Sequence, residues 1–131
     1  MLIVVATLVQ FVLGALWYSP LLFGKIWMQI MEVTQMSKEQ MQKMQKEMMP
    51  FYALQFFLTL FSTFSLVNLA VFTPFSLYHV AFWIWLGFIV PTQIAGVIWG
   101  NTKKRFWLKQ TLIMITYQLV GIMIAAFILS M

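Results

Sequence analysis

Every Asp, Glu, Lys and Arg of this chain falls in two short windows, Lys25 to Glu47 and Lys103 to Lys109. Positions 1–24, 48–102 and 110–131 hold none. A soluble fold of 131 residues cannot bury three such stretches. A bilayer can, because roughly 20 apolar residues rising about 1.5 Å each cross a hydrocarbon core of about 30 Å. Hydrophobic residues make up 63% of the chain and charged residues 8%, against roughly 45–50% and about 25% in soluble domains. The expected class is therefore all-α: a single polytopic transmembrane domain over 1–131.

Four transmembrane helices are expected, over about 2–18, 51–72, 77–99 and 106–130, with cytoplasmic segments at about 21–50 and 100–105. The first ends in Trp17-Tyr18-Ser19-Pro20, an interfacial aromatic pair before a helix breaker. No Lys or Arg precedes its apolar run, so it reads as a retained span and not as a cleaved signal peptide. Leu21 to Met28 reads as a short interfacial segment. Ser37 and Gln40 fit a capping box. Glu39 and Lys43 are paired four apart, and Met41, Met44 and Met48 share a face. These features predict a short cytoplasmic amphipathic helix between spans one and two. Pro50 then starts or kinks span two.

All eight Lys and Arg residues lie at the same end of such a bundle. The positive-inside rule then puts both termini outside and both charged segments in the cytoplasm, in a multi-pass protein of the cell (inner) membrane. The net charge of +5 comes from residues flanking apolar spans. It points to the lipid bilayer, with anionic headgroups at Lys103, Lys104 and Arg105, and not to nucleic acid. Without cysteine there is no disulfide, thiolate metal site or cysteine nucleophile. Gly24-Lys25-Ile26-Trp27 and Gly96-Val97-Ile98-Trp99 share Gly-x-Ile-Trp, each after a proline, Pro20 or Pro91. Duplication would make spans 1–2 and 3–4 parallel halves, each copy ending an inward-running helix; chance agreement is the alternative.

The stretch Gly14-Ala15-Leu16-Trp17-Tyr18-Ser19-Pro20-Leu21-Leu22-Phe23-Gly24-Lys25-Ile26-Trp27-Met28 resembles the hallmark of one bacterial family, the domain-of-unknown-function family numbered 1761. Trp85 to Pro91, with Gly87 inside, resembles its third-span signature. Tyr117-Gln118-Leu119-Val120 resembles a fourth-span pattern in which histidine stands where this chain has Gln118. The resemblance implies a four-helix membrane fold and brings no activity with it.

Few residues inside the spans could carry chemistry. No ionisable group lies deep in a span, where proton-coupled carriers place one. Small multidrug exporters of this size need a first-span carboxylate, and span one offers only Gln10. Phe61-Ser62-Thr63-Phe64-Ser65 resembles a segment of dual-topology fluoride channels, but the preceding glycines are absent and the charge bias is one-sided. The cytoplasmic methionines fit the apolar face of a helix better than a copper site. Neutral polar residues remain. Gln55, Gln93 and Gln110 are expected in the inner half, where they either bond across helices or frame a polar pocket, with Asn68 and His79 as counterparts on the outer side. Gly14, Gly24, Gly87, Gly96 and Gly121 are expected to allow close helix approach.

No nucleophile, base and acid come together, so no enzyme activity, cofactor or metal is expected. Two functions fit. One is a small oligomeric transporter or channel for a neutral or weakly charged solute. The other is a non-catalytic accessory or scaffold subunit that docks on a membrane-protein partner.

Overall fold

The structure, a computed structural model, describes residues 1–131. It is helical throughout, without a strand. Helix α1 is Leu2–Trp17, α2 Gly24–Ile30, α3 Lys38–Val71, α4 Leu77–Ile84, α5 Val90–Ile98 and α6 Trp107–Leu129. A π-helical turn, Trp85–Ile89, joins α4 to α5, and a 3-10 turn, Lys104–Phe106, leads into α6. Three rods, Lys38–Val71, Leu77–Ile98 and Lys104–Leu129, are long and apolar enough to cross a membrane. The fourth apolar helix, α1, has 16 residues.

Local chemistry explains the boundaries. Ser37 Oγ accepts the Gln40 N–H at 3.2 Å, and Gln40 Oε1 accepts the Ser37 N–H at 3.0 Å. This capping box satisfies two donors that a helix start leaves orphaned. Ser76 caps α4 with a single side-chain bond, accepting the His79 N–H at 3.3 Å. Pro91 has no N–H and crowds the carbonyl four residues back. The π turn just before it, closed by Val90 N–H onto the Trp85 carbonyl, widens the helix there.

The expected amphipathic helix and span two are one element. α3 runs unbroken for 34 residues with Pro50 inside it. The expected segment 21–50 holds α2 and the first third of α3. Proline fixes a helix-compatible φ and costs one backbone hydrogen bond. Pro50 and the Lys46 whose carbonyl it leaves free are both exposed, in a stretch rich in charge where water can take up that carbonyl.

α6 is the central helix. It packs on α1 along one side and on α4 and α5 along the other; α1 also packs on α3, and α3 on α4. Only 14 of 131 residues are buried, while side chains such as Phe61, Phe88 and Leu108 are at least 70% exposed. That apolar exterior is suited to lipid and not to water. The buried cluster of Ala6, Leu66, Val80, Ala81, Ala125, Ala126 and Ile128 lies toward the end away from the charged windows. Its four alanines let α1, α4 and α6 approach closely.

The glycines divide. A Cβ on Gly24 would lie 2.5 Å from the Ser19 carbonyl oxygen and 2.7 Å from that of Tyr18. Gly14 faces the Tyr117 hydroxyl and Gly121 faces Gln10, but Gly87 and Gly96 face open space and bring no helices together. The two Gly-x-Ile-Trp copies also differ: Gly24 opens α2, whereas Gly96 lies in the last turns of α5. The first copy does not end an inward-running helix, so the motif does not mark equivalent positions.

Candidate functional site

Below the alanine-rich cluster, the contact between α1 and α3 becomes polar. Gln10, midway along α1, donates from Nε2 to Thr63 Oγ1 at 2.8 Å and to the Ala6 carbonyl at 3.2 Å. Thr63 is buried and its hydroxyl donates to the Thr59 carbonyl at 2.8 Å. One helical turn further toward the charged end, a cleft of about 200 Å³ opens between α1, α3 and α6. Gln10, Gln55, Leu58, Thr59, Ser62, Tyr117, Gln118 and Gly121 line it. α3 and α6 touch little here, and Gly121 leaves room beside the Gln10 amide.

The groups in this cleft are neutral donors and acceptors. Gln55 Nε2 donates to Thr59 Oγ1 at 3.3 Å, and Thr59 Oγ1 donates to the Gln55 carbonyl at 2.9 Å. The Tyr117 hydroxyl donates to the Gln10 carbonyl at a long 3.5 Å. Both Gln10 donor bonds use Nε2, which leaves Oε1 as an acceptor. Neither the Ser62 hydroxyl nor the Gln118 amide has a hydrogen bond within the chain, although both line the cleft. The arrangement can hold an uncharged, hydrogen-bonding molecule. Its lining includes no Asp, Glu, His, Lys or Arg.

Of the residues expected to form a polar pocket, only Gln55 reaches this cleft. Gln93 on α5 and Gln110 on α6 are half-buried elsewhere, and the Gln110 Oε1 atom is buried without a hydrogen-bond partner. Asn68 turns back to the Phe64 carbonyl at 2.8 Å. His79 stacks on Phe75 with centroids 4.6 Å apart and accepts the Trp83 indole N–H on Nε2 at 3.1 Å. Sequence reasoning missed Gln118, Thr59 and Ser62 as pocket residues. One signal was available: Gln55, Thr59 and Ser62 stand at i, i+4 and i+7, on one face of a helix.

An aromatic layer closes the cleft toward the charged end. Trp17 donates its indole N–H to the Ile113 carbonyl at 3.1 Å, and Trp85 donates to the Ile115 carbonyl at 2.8 Å. Two tryptophans thus grip the backbone of α6 from opposite neighbours. Tyr117 meets Trp17 and Tyr18 with centroids 6.2 Å and 5.6 Å apart, and Tyr18 meets Trp27 at 4.8 Å. The chain then folds tightly back on itself. Ser19 Oγ donates to the Leu16 carbonyl at 2.6 Å, while Gly24 N–H reaches the Ser19 carbonyl at 2.8 Å and Phe23 N–H the Trp17 carbonyl at 3.0 Å. Pro20 sits in this turn with no N–H to satisfy.

This is the stretch whose residues resemble a family hallmark, and a family model confirms it: "Protein of unknown function (DUF1761)" matches residues 1–130. The chain belongs to the DUF1761 family. No curated protein and no solved structure matches it. In this DUF1761 chain, Trp17, Tyr18, Ser19, Gly24 and Trp27 build the turn and its aromatic lid, and Tyr117 reaches from that lid to the cleft. Gly87 and Pro91 belong instead to the π-turned stretch of the Leu77–Ile98 rod.

The two charged windows meet at one end of the bundle. Lys103 Nζ lies 2.7 Å from Glu32 Oε1, and Glu32 holds a left-handed φ of 59° to present it. The hydrogen bond from Lys103, and then its charge, hold the Glu32 carboxyl below the usual carboxylate range. Lys104 lies 5.9 Å from the Trp107 ring centroid, and Arg105 lies 4.7 Å from that of Phe106. Gln29, Glu32, Thr34, Gln35, Arg105 and Phe106 surround an open basin of about 610 Å³. Its mixed charge and wide mouth suit water more than a specific ligand.

Proposed function

We propose that this DUF1761 protein crosses the inner membrane four times and passes a small neutral, hydrogen-bonding solute through the cleft between α1, α3 and α6, as part of an oligomer. One observation carries the reading. At mid-depth in an apolar bundle, six polar side chains from three helices converge on a cavity, and two of them have no partner within the chain. Ser62 is exposed and Gln118 half-exposed at the cleft, and polar groups left facing lipid without a partner are costly, so water or a polar solute is the better partner for them than an acyl chain. The lack of charged groups in it favours a neutral cargo over an ion.

The orientation follows from charge. All basic residues lie in two windows, and the Glu32–Lys103 pair supports placing both windows at one membrane face. The positive-inside rule makes that face cytoplasmic, with both termini outside. Lys103, Lys104 and Arg105 then stand at the level of anionic headgroups. The reading involves no enzymatic step.

A second reading rests on the outer face of α3, where Phe57, Phe61 and Phe64 are each more than half exposed. That aromatic face suits an accessory subunit docked on a larger membrane protein. Purified protein in liposomes separates the two. Entry of glycerol or urea, followed by stopped-flow light scattering, rises with protein content if the cleft conducts. Flux equal to that of empty liposomes, with a second protein co-purifying at fixed stoichiometry, supports the accessory role.

A further inference from the structure

The face of α3 that lines the cleft belongs to a longer stripe. Met41, Met44, Met48, Phe51, Gln55, Leu58 and Ser62 follow one another at alternating steps of three and four residues. This is the 3.5-residue period of a helix that supercoils with another helix, kept here over three heptads. Every residue of the stripe is exposed or half-exposed. Lys38, Glu39, Lys43, Lys46 and Glu47 all stand off it.

We infer that α3 pairs in parallel with α3 of a second copy of this chain along this stripe, so that each copy's Gln55 and Ser62 help to close the other's cleft. The inference rests on the spanning topology proposed above and not on transport. Length identifies the occupant. α3 has 34 residues, roughly 50 Å at about 1.5 Å per residue, against about 30 Å of hydrocarbon. Its charged first third therefore projects beyond the lipid core, and the stripe crosses from that projection into the apolar depth without changing register. Lipid can cover only the deeper part. A second α3 covers both, because it carries the same overhang at the same height.

The chemistry of the stripe is self-complementary. A two-fold axis along the bundle sets each residue against its own copy. Methionine, phenylalanine and leucine tolerate that pairing, and the methionine side chains adapt their shape. Gln55 and Ser62 each donate and accept, so each can bond to itself across the axis, which a lysine or glutamate could not. Polar pairs at such positions fix register in coiled coils and bond across helices in lipid. The neighbouring positions raise no conflict, since no lysine of α3 faces the axis.

The chain has no cysteine, which makes single-cysteine cross-linking clean. Met48→Cys and Leu58→Cys lie on the stripe; Lys46→Cys and Phe57→Cys lie on exposed positions off it. Copper-phenanthroline oxidation of native membranes is expected to give homodimer bands with the first two variants and not with the last two. Equal cross-linking at all four positions, or none at Met48→Cys and Leu58→Cys, overturns the pairing. Dimers on the stripe without solute flux keep the pairing and overturn transport alone.

Discussion

Gln10 and Thr63 lie 53 residues apart in sequence and share a hydrogen bond of 2.8 Å at the middle of the bundle. This bond ties α1 to α3 where the alanine-rich cluster ends and the polar cleft begins. Interhelical hydrogen bonds in lipid contribute modestly, about 0.6 kcal/mol on average and up to about 1.7. Gln10→Leu and Thr63→Val are each expected to destabilise the fold within that range. Together they should cost less than the sum of the two, because either change removes the same bond. Unfolding in mixed micelles, run as a double-mutant cycle, checks this; full additivity would dissolve the link.

Gly24 is the position where a methyl group does most harm. An alanine there meets the carbonyl oxygens of Ser19 and Tyr18, which are backbone and cannot swing aside. Gly24→Ala is expected to cost about 3 kcal/mol, or to abolish folded protein altogether. Gly87→Ala, which faces open space, should change stability by less than about 0.5 kcal/mol. Thermal unfolding of both variants in detergent makes the comparison; equal losses would contradict the placement of Gly24.

Those two glycines show what could be read from the chain alone. Composition and charge were enough for the helices and for the alignment of both charged windows, since each is a property of one stretch. Which faces meet is a property of the assembled bundle. Gln55, Gln93 and Gln110 look alike in sequence, yet only Gln55 turns toward the space that α1 and α6 leave open. Gln118 went unrecognised as a pocket residue because its partners lie on other helices. Pro50 does not start the span but lies inside α3, where the carbonyl it leaves free belongs to an exposed lysine that water can reach.

The indole of Trp17 holds the backbone of α6. Trp17→Phe keeps an aromatic ring against Phe23 and Tyr117 but removes the donor to the Ile113 carbonyl. The expected loss is about 1 kcal/mol, the usual net worth of one such bond. Chemical unfolding measures it. A loss no larger than that of an exposed tryptophan, such as Trp99→Phe, would show that the grip on α6 is unimportant.

The Glu32–Lys103 pair gives the fold an acid-sensitive tie. Glu32 titrates below its unfolded value because of Lys103, so any stability it adds is present above about pH 4.3, the ordinary glutamate pKa. That stability is lost as pH falls through the lower folded value. Both side chains are more than half exposed, so the contribution is small and weakens with salt. Carboxyl-carbon NMR should show the Glu32 titration moving up toward the ordinary range in Lys103→Gln. A titration unmoved by that change would remove the pair.

The central claim is that the cleft at mid-depth admits a neutral solute, and Gln118 tests it most directly because its amide has no partner within the chain. The measurement is glycerol and urea entry into proteoliposomes, comparing the unaltered protein with Gln118→Leu at matched incorporation. The account predicts protein-dependent flux that falls at least tenfold with leucine at 118, while thermal stability stays within about 1 kcal/mol. Equal flux in both, or none above empty liposomes in either, would contradict it.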